Sequence, residues 1–183
     1  MTVFSTCPHC ADNAPTRRSV ITGLAAAAVL PAAASAATAA SSEEDERFMR
    51  IAIAEARRAD YPFGAVIVRD GKLIARGRNL GRTTDDPTAH GEIVAIRRCA
   101  TRHGSKAMRG ATLYTSGEPC AMCAGAILWC GFGRLVFAAS VEQIAAKMNQ
   151  IMVSSSEIAA KAPFAKISIT GGVLADEAVK LFG

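Results

Sequence analysis

Apolar side chains at Phe48, Ile51, Ala52 and Ala56 recur at the spacing of one helix face, up to about Arg58. Ser41-Ser42 and the acids Glu43, Glu44, Asp45 and Glu46 precede them, an N-cap followed by carboxylates in the first turn. Tyr61-Pro62 breaks that pattern. Two β-rich runs follow, 64–69 and 72–78, joined at Asp70-Gly71, a hairpin signal. The polar stretch 79–87 leads to a predicted helix over 88–102, closed by His103-Gly104. A strand is predicted over 111–116, a helix over 119–130 and a strand over 134–139. Helical patches come next, then a short strand over 166–170 and a last helix over 174–182. Strands alternating with helices predict an α/β fold: a three-layer α/β/α sandwich around a mixed central sheet of about five strands.

Composition divides the chain. Half of the 183 residues are hydrophobic, but alanine between Leu24 and Ala40 inflates that share. Residues 1–40 read as a targeting segment and 41–183 as one domain. Arg17-Arg18 stands before an uncharged run from Ser19 to Ser42, and small residues end it at Ala34-Ser35-Ala36 or Ala37-Thr38-Ala39. This segment resembles a bacterial twin-arginine export signal, with Val20 and Thr22 departing from the usual pattern. It implies a periplasmic protein; the alternative is an uncleaved N-terminal membrane anchor, since the run is long enough to span a bilayer. Cys7-Pro8-His9-Cys10 has the letters of a thiol-disulfide motif but lacks the strand-to-helix context that such chemistry needs. Net charge is +5, and without Arg17, Arg18 and Asp12 it is about +4. That mild sum argues against a protein living on phosphate contacts. The cations Arg69, Lys72, Arg76, Arg78 and Arg82 at and after the hairpin read first as a solvated strand face and second as a phosphate-binding stripe.

The chemistry lies in two short segments, His90-Gly91-Glu92 and Pro119-Cys120-Ala121-Met122-Cys123. Cys120 and Cys123 stand three apart on a helix, so their sulfurs share a face, and the helix start favours thiolates. His90 is placed in the first turn of its own helix. Two thiolates and one imidazole make a three-ligand zinc site with one open position, the pattern of catalytic zinc. Glu92 can reach that open position off the helix end and carry protons. Histidine, glutamate and the paired cysteines in this order form a zinc deaminase signature. The competing reading, a four-ligand structural site, has only Cys99 and His103 to draw on, both far along the helix. Cys99 and Cys130 are otherwise expected as buried thiols.

The chain resembles the cytidine-deaminase-like superfamily, in the branch holding guanine or cytosine deaminases and bacterial tRNA adenosine deaminases. The resemblance spans nearly all of 43–183 and is carried by Pro62-Phe63-Gly64-Ala65-Val66, Asp86-Pro87-Thr88-Ala89-His90-Gly91-Glu92, the run Tyr114 to Ile127, and Gly172 to Glu177. It implies hydrolytic deamination with one Zn²⁺ per chain: His90, Cys120 and Cys123 as ligands, Glu92 as the catalytic acid–base. It also implies that Asn79 contacts the base or sugar edge, that the backbone of Ala89 contacts the ring, and that Phe63 walls the pocket. Gly91 replaces a common alanine, at an expected cost in helix stability of roughly 0.5–1 kcal/mol.

Pro62-Phe63-Gly64 and Thr115 to Pro119 look like free-base deaminases, whereas Ile169 to Glu177 looks like the tRNA enzymes, without their further helix and basic tail. A nucleobase or nucleoside of guanine, cytosine or adenine type is the expected substrate, with tRNA adenosine deamination as the alternative and a non-catalytic zinc-stabilised binding protein third. Segment 141–164 is the expected place of a lid or specificity loop. A homodimer is expected through the helix from Cys120 to Cys130, because Ala124, Ala126, Ile127, Leu128, Trp129 and Phe132 are apolar on too many sides for a helix covered on one face.

Overall fold

In the computed structural model, which describes residues 42–183, antiparallel and parallel pairing meet within one five-stranded sheet of order β2-β1-β3-β4-β5. Strands β1 (Gly64–Arg69) and β2 (Lys72–Arg78) form the hairpin; β3 (Thr112–Gly117) runs antiparallel to β1, while β4 (Arg134–Ala139) and β5 (Ser168–Thr170) run parallel to β3. Asp70 and Gly71 both take positive φ, 51° and 69°, the turn whose twist matches the strands it joins. Residues 1–41, and with them the expected export signal and the Cys7–Cys10 motif, lie outside the described residues. No helix among the described residues is long and apolar enough to cross a membrane.

Helices cover both faces. Helix α1 (Glu43–Ala56) and the C-terminal helix α6 (Ala175–Val179) pack with Val66, Val68, Tyr114 and Val136 on one side. Helices α2 (Gly91–His103) and α3 (Ala121–Cys130) pack with Ala65, Ile67, Leu113 and Leu135 on the other. Alternate residues of each central strand thus feed opposite layers, which explains why β1 reads as an unbroken apolar run. Two short helices, α4 (Val141–Ala145) and α5 (Ser155–Ala160), follow β4. The last predicted helix is shorter and ends in a 3-10 turn over Lys180–Phe182.

The acids that open α1 do more than complement its dipole. Ser42 caps the helix by accepting the Asp45 N–H at 3.1 Å. Asp45 itself is buried, held bidentately by Arg134 at 2.6 and 2.8 Å and accepting the Tyr114 hydroxyl at 2.9 Å. The Arg134 guanidinium, opposed by burial, holds the Asp45 carboxyl below the usual range. A carboxylate with a lowered folded pKa stabilises the fold above its unfolded pKa, near 3.9, and loses that contribution as pH falls through the folded value. Asp45→Asn is therefore expected to lower stability by about 2–3 kcal/mol at pH 7, discounted because Arg134 still reaches water. The deficit should shrink below about pH 4. Urea unfolding of both proteins from pH 3 to 8 measures it.

Gly91 has a steric reason. A Cβ there would stand 2.8 Å from the Phe63 carbonyl oxygen and 3.2 Å from Gly64 Cα, because α2 begins against the start of β1. The missing side chain lets the His90–Glu92 segment press onto the strand, and an alanine would cost more by overpacking than it returns in helix propensity.

Candidate metal centre and pocket

All the predicted site residues belong to one end of the sheet. Phe63 precedes β1, Asn79 follows β2 and Glu118-Pro119-Cys120 follows β3; antiparallel pairing of β1 with both neighbours brings these strand ends together. Segment 140–154 leaves the end of β4 on the same side. Ligand sites of open α/β sheets collect at such strand ends.

His90 and Cys120 sit one step outside the expected helical turns, as the N-cap residues of α2 and α3. Extended backbone at both caps turns the side chains off the helix ends toward each other. Cys123 is in the first turn of α3. His90 Nδ1 lies 3.6 Å from both Cys120 Sγ and Cys123 Sγ, and the three donor atoms lie within 4.8 Å of one another, the only such metal-ligating group among the described residues. Cys120 is held below the ordinary thiol range, first by the hydrogen bond from the Cys123 thiol and then by His90, which favours the thiolate that a metal ligand requires. The same contact with Cys120 raises His90. This donor set, two sulfurs and an imidazole on rigid elements, fits zinc. The proposed fourth ligands are elsewhere: Cys99 is fully buried in the core, and His103 Nε2 lies 3.1 Å from the Ile74 carbonyl at the edge strand.

Glu92 is buried at 2 % exposure, and its Oε2 has no hydrogen-bond partner. A partnerless buried carboxylate oxygen is costly, and here it faces the pocket that the site requires. Burial pushes Glu92 up to about 7, where a carboxyl group can both hold and release a proton.

The pocket has a volume of about 290 Å³, suited to a single flat ring system rather than an extended ligand. Phe63 lines it, its ring 6° from parallel to the His90 ring. Asn79 also lines it, buried, with Oδ1 accepting the Gly81 N–H at 3.0 Å. It is thus a turn residue and a pocket residue at once, and its amide nitrogen is the group available to a ligand. Ala89 is not brought to the pocket wall; its N–H goes to Asp86 and its carbonyl accepts from Leu80.

Sequence reasoning missed Tyr61, Glu118, Met148, Asn149, Gln150 and Ile151, which complete the lining. Residues 148–151 do fall in the segment expected to carry a lid. Cys130 is partly rather than fully buried.

Known proteins share this arrangement in sequence and in structure. The guanine deaminase of Bacillus subtilis is 54% identical over 68 residues, which is 37% of this chain and 44% of that protein. The tRNA-specific adenosine deaminase of Agrobacterium fabrum is 45% identical over 96 residues, 50% of this chain and 63% of that one. The chain thus spans less than two thirds of the length of either relative. A structure from work on A-to-I editing by tRNA:A34 deaminases superposes with a TM-score of 0.64 at 34% identity, covering 74% of this chain and 98% of the other. Residues 42–139 match the family model for the cytidine and deoxycytidylate deaminase zinc-binding region, so the histidine, the two cysteines and the buried glutamate stand within a sheet and helix framework already known for this chemistry, and the chain belongs to that family.

Proposed function

We propose that the protein is a zinc-dependent hydrolase that deaminates a free nucleobase or nucleoside, replacing an exocyclic amine with a ring carbonyl and releasing ammonia. The partnerless Glu92 Oε2 beside the His90–Cys120–Cys123 cluster carries this reading. When bound, zinc supplies hydroxide near neutral pH. Glu92 takes a proton at its carboxylate, passes it to a ring nitrogen and then serves the departing amine. Phe63 and Tyr61 supply aromatic walls to the pocket that takes the ring, and the Asn79 amide orients its polar edge. Water enters the reaction and ammonia leaves.

The small-molecule form is supported by what the hairpin cations already bind. Arg76 and Arg78 lie 3.8 and 3.7 Å from Glu55, and Arg69 donates to the carbonyls of Lys106, Ala107 and Arg109. Arg82 stacks at 4.6 Å on Tyr61, which lines the pocket. Deamination of adenosine in tRNA is the second reading, favoured by the relatives that carry that name. A competition assay offering free guanine, cytosine and adenine together with tRNA separates the two: free-base turnover unaffected by tRNA supports the first, and inosine formed only in tRNA supports the second.

The same reading includes a homodimer. Of the residues that suggested it, Ala124, Ile127, Leu128 and Phe132 are buried within the chain and so offer nothing to a subunit surface. Trp129 remains 78 % exposed and stacks on exposed Phe164 at 4.6 Å, with Ile151 and Met152 also exposed. A second copy of the chain would cover the exposed Trp129–Phe164 pair. Trp129→Glu is expected to convert a dimer to a monomer in sedimentation at micromolar concentration; a wild-type monomer there contradicts it.

We further propose periplasmic delivery through Arg17-Arg18, after zinc has tied up Cys120 and Cys123 in the cytoplasm, because free thiols at this spacing would oxidise in the periplasm. Changing both arginines to lysine should stop export and leave active enzyme in the cytoplasm. Unchanged periplasmic activity on fractionation would break that link.

A further inference from the structure

Glu118 stands two residues before a metal ligand, lines the pocket and is 6 % exposed, yet its carboxylate has no free oxygen. Oε2 accepts the Val141 N–H at 3.0 Å and Oε1 accepts the Ser155 N–H at 2.8 Å. Those are the first residues of α4 and α5, the two short helices on either side of the segment that carries Met148, Asn149, Gln150 and Ile151 over the pocket. One side chain therefore ties down both ends of the roof. The base of this clamp is itself fixed, since the Glu118 N–H donates to the Ala139 carbonyl at 2.7 Å. At the far end the Ser155 hydroxyl also donates to the Pro119 carbonyl at 3.4 Å, while Ile151 and Met152 between the two anchors are 60 % and 57 % exposed within the chain.

We propose that Glu118 is a positioning residue for substrate affinity and selectivity, acting through the roof, a role that rests on the deaminase reading above. Both oxygens are committed to backbone donors, so Glu118 is not a second proton carrier; Glu92, with its partnerless Oε2, is chemically distinct from it. Aspartate is one methylene too short to span the two N–H groups. Glutamine offers one acceptor and turns a donor toward the other N–H.

Two variants test the clamp. Glu118→Gln disrupts one of the two hydrogen bonds. Ser155→Pro removes one N–H, together with the Ser155 hydroxyl that donates to the Pro119 carbonyl at 3.4 Å, while leaving Glu118 intact, and Ser155→Ala, which loses the hydroxyl alone, is its control and is expected to keep the wild-type KM. Proline suits this first helical position, and Ser154 before it is already extended at ψ 155°, so the variant keeps the test alive if Glu118→Gln folds poorly. For both, KM is expected to rise on the order of 10-fold, as for loss of a hydrogen bond to a charged group, with kcat within about threefold of wild type and zinc content unchanged. Discrimination between the best base and its nearest rival should narrow. Amide hydrogen exchange should speed up in 141–155 and stay slow in β3. Unchanged exchange in 141–155 overturns the proposal, as does a fall in kcat and zinc with KM unchanged. A wild-type protein that releases no ammonia from any base, nucleoside or tRNA defeats the deaminase reading instead, and the exchange comparison then still decides whether Glu118 clamps the roof.

Discussion

Glu92→Gln is expected to retain zinc and lose turnover by about 10²–10⁴-fold, the range for a general acid–base group. The substitution is isosteric, so the buried slot stays filled and the neighbouring helix start is undisturbed. What disappears is a carboxyl group that burial has placed near neutrality, the only one in the pocket with an oxygen left unpartnered. An amide accepts a hydrogen bond but relays no proton. The loss should fall on kcat, because the same group serves each successive proton transfer. Metal analysis and steady-state ammonia release on the same preparation check both halves. Near-normal turnover with zinc retained would remove Glu92 from the mechanism.

Cys120→Ser is expected to act in the opposite order, on the metal first. Serine keeps the N-cap geometry of α3 but replaces a thiolate by a hydroxyl that stays protonated at neutral pH. Zinc affinity should fall on the order of 10²-fold or more, and turnover should fall with occupancy. Binding energy at a site formed only in the folded state is also folding energy. Melting temperature should therefore drop by about 10 °C relative to zinc-loaded wild type. Chelator-treated wild type should melt close to the variant, since both lack the same bound ion. A variant that melts low with zinc still present would mean that the thiol contributes packing rather than coordination.

The hydrophobic pattern was most informative where burial is two-sided or strictly alternating. Both hairpin strands, β4 and the cap at Ser42 lie where their side chains demand. The metal ligands were legible because histidine and paired cysteines in that order carry chemistry through residue type alone. Their backbone setting was not: His90 and Cys120 are caps, and only the close contact of Gly91 with Phe63 explains how α2 begins. The roof was expected within 141–164, but which of its residues line the pocket was not legible, for a different reason. Its residues are pocket residues only because distant strand ends converge, and no local periodicity records that. A usable signal did exist in Ser140-Val141-Glu142-Gln143 and Ser154-Ser155-Ser156-Glu157, two capping boxes that fix both short helices and so define the loop between them. Asp45 is similar: its place in the acidic helix start concealed a partner 89 residues away.

The central claim is that one zinc per chain and Glu92 together hydrolyse an exocyclic amine. It is tested most directly by following ammonia release from guanine, cytosine, adenine and their nucleosides, with the zinc-loaded wild type and Glu92→Gln side by side. Catalytic ammonia release from at least one of these is expected of the wild type, abolished by chelation, restored by zinc, and nearly absent in the variant despite full metal. No release from any free base, nucleoside or tRNA by a protein that holds one zinc per chain would contradict it and leave a zinc-stabilised binding protein in its place.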